Sequence, residues 1–156
     1  MSGPPEAPID GRQSEAALAI CRGVRRLLRA RGFATVTELP LSSGRRADVV
    51  GLSSEGALVI VEIKSSVADF RADHKWRDYF AHCDRLYFAV DANMPLEIMP
   101  EEAGLIVADS YGGEILREPA PRAIPPAARR AVLLRFALAA ADRLHRFADP
   151  GAASEA

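Results

Sequence analysis

The run Ala57–Ile63 (ALVIVEI) is almost unbroken in apolar and β-branched residues, and it constrains the fold more than any other segment. A strand of this composition is buried on both faces, so it belongs inside a sheet that is covered above and below. Ser54-Glu55-Gly56 before it has turn chemistry, and Ala47–Leu52 reads as the strand that enters that turn. Phe33–Leu39 alternates as a further strand and is followed by a turn at Ser42-Ser43-Gly44. Three strands in succession with short turns form an antiparallel meander.

Helical spacing brackets the meander. Ala17, Ile20, Cys21, Val24, Leu27 and Leu28 recur at three and four, which predicts an amphipathic helix from Ser14, its cap, to Arg31, with Gly32 ending it. Its other side carries Arg22, Arg25, Arg26 and Arg29. Phe70, Trp76, Tyr79, Phe80 and Cys83 predict a second helix over about 67–83, with Asp69 suited to its positive end. Leu86–Val90 is then a strand and Met94–Glu101 a Pro-punctuated loop. Gly104–Ala108 and Glu114–Leu116 are two short strands joined through Tyr111-Gly112-Gly113, and Pro125-Pro126 opens a final apolar helix to about Phe147. The expected architecture is α/β (α+β), a central mixed sheet flanked by helices, in a single domain over 13–148. Residues 1–12 read as a flexible leader and 149–156 as a flexible tail.

The 156 residues suffice for one such domain, and 49% apolar with 26% charged residues argues against disorder or a fibrous repeat. A net charge of −1 argues against a generally basic nucleic-acid coat protein. The sum hides an asymmetry. Residues 1–48 hold eight Arg against five acids and residues 119–156 six Arg against three, whereas residues 92–118 hold one Arg against six acids. Arg-rich ends around an acidic middle permit a local basic face for a polyanion. Only two of the 20 basic residues, Lys64 and Lys75, are lysine. Cys21 and Cys83 sit among apolar neighbours without zinc-site spacing and read as buried thiols. With no secretion signal and no membrane-spanning run, a cytoplasmic location is expected. The apolar final helix also offers a surface for a homodimer.

Chemistry concentrates in the middle hairpin. If Ser54-Glu55-Gly56 closes it as a three-residue loop with Gly56 left-handed, Leu52 meets Leu58, Val50 meets Ile60 and Asp48 meets Glu62. Residues directly opposite have Cβ atoms about 4.5–5.5 Å apart, so two carboxylates come together, and Lys64 points to the face of Glu62. Two like charges so close call for a cation or a proton between them. Oxygen ligands alone favour Mg²⁺ or Mn²⁺, and the Ile63 carbonyl is one further oxygen. The competing reading is a cross-strand ion pair at the rim of a sheet.

Asp48 followed by Glu62-Ile63-Lys64 after an apolar strand resembles the PD-(D/E)XK nuclease superfamily, with Ala47 where the superfamily name has Pro. Gly44-Arg45-Arg46-Ala47-Asp48, Val61–Ser66, Asp69–Asp73, Lys75-Trp76 and Cys83–Phe88 together resemble the MmcB-like DNA-repair family over roughly residues 11–147. The resemblance implies a restriction-endonuclease-like core and a DNA-repair role, and together with the acid pair it leads to the expectation of a Mg²⁺-dependent DNA endonuclease acting in repair. Asp48 and Glu62 would be the metal-holding acids, Lys64 the catalytic lysine and Glu15, on the first helix, an assisting acid. A first-turn Glu also simply suits the helix dipole, and Glu38 is a rival for the assisting role. Arg45, Arg46, Lys75 and Arg22 are candidates for DNA phosphates, and solvated surface charges are their other reading. Trp76 and Tyr79 read as core, and His74 and His82 as ordinary surface or core histidines. The alternative function is a non-catalytic module that keeps a nuclease-like core to bind DNA or a repair partner.

Overall fold

In a computed structural model, which describes residues 14–151, six strands form one sheet in the order β1-β2-β3-β4-β5-β6. The chain runs α1 (Glu15–Ala30), β1 (Phe33–Pro40), β2 (Arg46–Ser53), β3 (Leu58–Ile63), α2 (Val67–Ala72) and β4 (Arg85–Val90). It continues through β5 (Gly104–Ala108), β6 (Gly113–Arg117) and α3 (Pro126–Ala148). Pairing is antiparallel in the β1-β2-β3 meander and at β5-β6, and parallel at β3-β4 and β4-β5. The sheet is therefore mixed, with β3 and β4 at its centre. The leader 1–12 and most of the expected tail lie outside the described residues.

All six residues of β3 are buried, as its composition requires. Ile20, Val24 and Leu28 of α1 cover one face of the sheet, against Val49, Val59, Val61 and Ile106. Trp76, Tyr79, Val132 and Phe136 cover the other, against Leu58, Ile60, Leu86 and Phe88. The hairpin closes as its sequence predicts. Ser53 N–H donates to Ala57 O at 3.0 Å and Gly56 takes a φ of 85°, a conformation that glycine adopts without a Cβ clash. Ser14 caps α1 by accepting the Ala17 N–H at 3.1 Å.

The second helix differs from its expectation. The α-helix stops at Ala72, and a 3₁₀ helix spans Trp76–His82. Asp73 leaves the helix in an extended conformation, and its Oδ1 accepts the Lys75 N–H at 3.0 Å. A short acidic side chain that binds its own backbone two residues on competes with helix continuation. Phe70 and Trp76 still reach the sheet, with ring centroids 5.7 and 5.1 Å from Phe88. Cys83 is buried as expected, whereas Cys21 is only half-buried. On α3, Leu134, Leu138, Leu144 and Phe147 remain exposed.

Candidate functional site

The regular β2-β3 ladder ends where Val49 pairs with Val61. One step further Asp48 stands opposite Glu62, and side chains replace main-chain pairing there. The Asp48 N–H donates to Glu62 Oε2 at 2.9 Å, and the Ile63 N–H donates to Asp48 Oδ2 at 2.8 Å. Each carboxylate caps the opposite strand, so the strand ends part around a pair of acids. Glu62 is 4% exposed. Loss of water raises the Asp48 carboxyl to about 6, with Glu38 and Asp69 adding to the rise and the Ile63 N–H and Lys64 opposing it. Burial, and then the charge of Asp48, hold Glu62 well above the usual carboxylate range.

Lys64 extends from the end of β3 and is 6% exposed. Its Nζ lies 2.8 Å from Asp73 Oδ2. Burial pushes the Asp73 carboxyl up, but hydrogen bonds from Lys64 and the Lys75 N–H outweigh it and hold the group below its ordinary value. The Tyr79 hydroxyl donates to Arg46 O at 3.0 Å and lies within hydrogen-bonding reach of Glu62. Asp69 accepts the Ser65 N–H at 3.1 Å, which fixes the turn after Lys64. Asp73 and Tyr79 escape a reading of the sequence because both arrive through the break after Ala72. The one available sign is that Asp73 falls in one of the segments that resemble the MmcB-like family.

Glu38 belongs to this neighbourhood. β1 pairs Thr37 with Val49 and Leu39 with Ala47, which leaves Glu38 opposite Asp48 with a φ of 53°. Glu15 is exposed in the first turn of α1, and the charges that weigh most on Asp48 and Glu62 do not include it. Cys21 of α1, about 9 Å further along the helix axis than Glu15, is near enough for the charges of Asp48 and Glu38 to add to the rise that burial gives its thiol. Arg45 Nε lies 3.3 Å from Asp78 Oδ2, and Arg46 Nε 2.8 Å from Glu38 Oε2. Lys75 and Arg22 are exposed, Arg22 on α1 beside a groove that Glu38 also lines. Trp76 is core, and His82 Nε2 is 3.0 Å from Ser43 Oγ.

Among the described residues no three His, Cys, Asp or Glu side chains gather as a metal site. The donors at hand are two carboxylates and the Ile63 carbonyl, all hard oxygens. They fit Mg²⁺, which binds through one or two carboxylates and keeps several waters. Burial, more than any neighbouring charge, raises both carboxyls, and Lys64 is the positive charge that opposes the rise in each.

An acid on one meander strand, an acid and a lysine two residues apart on the next, and a mixed sheet with helices on both faces define a restriction-endonuclease-like domain. Over residues 4–151 the sequence matches the family described as DNA repair protein MmcB-like, and the chain belongs to that family. Among solved structures it is similar to the SPO1766 protein of unknown function from Silicibacter pomeroyi, at 42% identity and a TM-score of 0.85. That match covers 89% of this chain and 95% of the other. A repair endonuclease from Pyrococcus abyssi matches at 20% identity and a TM-score of 0.34, over 51% of this chain and 38% of that one, a likeness too slight to bear on the fold. No curated protein matches the chain. No helix among the described residues is long and apolar enough to cross a membrane.

Proposed function

We propose that the domain hydrolyses phosphodiester bonds in DNA during repair, as a Mg²⁺-dependent endonuclease with Mn²⁺ as a substitute ion. The observation that carries this reading is the convergence of Asp48 and Glu62 at the parted ends of β2 and β3, beside a buried lysine. Asp48, Glu62 and the Ile63 carbonyl would hold the ion. When bound it polarises a phosphate oxygen and lowers the pKa of its water.

The remaining work falls to the chain. The Lys64 ammonium would orient the attacking water and offset charge that develops on the phosphate. Asp73 positions that ammonium. Glu38, rather than Glu15, is the acid we assign to assist the pair from outside the ion's ligands, because it stands opposite Asp48 in the sheet. The second reading, a module that binds DNA without cutting it, is supported by the Lys64–Asp73 ion pair, which engages the ammonium without any substrate.

A cleavage panel of duplex, single-stranded, flapped and branched DNA separates the two. The catalytic reading predicts Mg²⁺-dependent cutting of at least one substrate, reduced by roughly a thousandfold or more in Lys64→Ala and Asp48→Ala proteins that remain folded. Binding that needs no Mg²⁺ and survives Lys64→Ala, with no cleavage of any substrate, supports the binding module instead.

A further inference from the structure

Helix α1 and edge strand β1 enclose an open groove of about 940 Å³. Arg22, Arg25, Arg26 and Arg29 stand along its helical wall, and Phe33, Thr35, Thr37 and Glu38 along its strand wall. Arg25 Nε donates to Thr35 Oγ1 at 3.0 Å, which fixes helix and strand side by side, and Arg26 donates to Tyr111 O at 3.2 Å. The guanidinium groups of Arg22 and Arg29 make no hydrogen bond or ion pair within the described residues. Seven positions separate them, about 10.5 Å along the helix axis and thus the length of a few nucleotides of one strand. Four guanidinium groups against the single carboxylate of Glu38 give the groove a strong positive balance. Leu18, 54% exposed, and half-buried Phe33 add apolar surface to the same walls.

We propose that this groove binds single-stranded DNA and delivers it to the Asp48–Glu62 pair, a proposal that rests on the nuclease reading for its destination but not for its binding. A row of guanidinium groups beside apolar side chains grips a phosphate backbone while giving unpaired bases a surface to lie on; a duplex keeps its base faces inside its own stack. Glu38 marks where the groove meets the site, since it lines the groove and stands opposite Asp48.

Fluorescence anisotropy with labelled single-stranded DNA, in EDTA and over a salt series, tests the groove without any cleavage. The full chain is compared with the double variant Arg22→Ala/Arg29→Ala, whose exposed positions leave the melting temperature unchanged. The expected result is preference for single strand over duplex, an affinity loss of roughly tenfold at low salt in the double variant, and a salt slope shallower by about 1.4. Equal affinity and slope in the double variant, equal or tighter binding of duplex or of single-stranded RNA, or no binding of DNA by the wild type each overturns the groove. Groove-dependent binding in a protein that cuts nothing removes the nuclease reading and leaves the groove standing. Cleavage that needs Asp48 but not the arginines does the reverse.

Discussion

Asp73 gives Lys64 its place, and its replacement separates positioning from folding. Asp73→Asn keeps the shape but removes the charge opposite the ammonium. Cleavage kinetics are expected to show kcat down by roughly tenfold, with DNA affinity within about twofold of wild type and partial rescue by Asp73→Glu. An unchanged kcat would make the ion pair structural only. At this scale much of the site is legible in the sequence. Asp48, Glu62 and Lys64 follow from the two-residue period and from a turn that fixes the register, both of which are local. Asp73 and Tyr79 are not legible, because their nearness to Lys64 and Glu62 depends on where a helix stops. Glu15 misleads because a first-turn acid looks the same whether it serves the dipole or a site.

Among the elements, the meander and α1 follow from periodicity and α3 from its opening prolines and apolar run, while the form of the segment after Ser66 does not. Phe70, Trp76, Tyr79 and Phe80 turn towards the sheet either as one α-helix or as a short α-helix plus a 3₁₀ helix, so their spacing cannot tell these apart. The deciding group is the Asp73 carboxylate, through bonds made to the backbone of Lys75 and to the side chain of Lys64. The seating of α1 rests on another feature that periodicity does not show. Gly23 sits against the main chain at Asp109 and Gly112, where a Cβ would collide with carbonyl oxygens. Gly23→Ala is expected to cost about 3 kcal/mol or more by forcing α1 off the β5-β6 turn, although alanine is the better helix former. Chemical denaturation measures this, and a neutral or stabilising result would show that α1 is not held there.

Across the whole molecule, the Arg-rich ends do different work. In α3, Arg129 binds Asp84 and the Gly56 carbonyl, Arg135 the Pro40 carbonyl, and Arg143 the Thr37 and Glu38 carbonyls. These arginines fasten α3 to the loops and to the edge of β1. The acidic middle is partly matched by Arg77 on Glu102 and by Arg31 and Arg85 on Glu118. What remains are the arginines of α1 and, at the site, two buried acids. Their titration follows from burial above all. Without metal, the folded chain keeps protons on Asp48 and Glu62 that the unfolded chain releases near pH 4. The resulting stability is full below that value and is lost as pH rises through about 6 for Asp48.

Thermal melting of wild type and Asp48→Asn at about pH 5 and about pH 8, each with and without Mg²⁺, tests most directly whether the acid pair is a cation site. Saturating Mg²⁺ is expected to raise the wild-type Tm by about 3 °C or more at the higher pH, to change it little at the lower pH, and to leave Asp48→Asn unmoved at both. The same Mg²⁺ response in wild type and variant, or none in either, would contradict it.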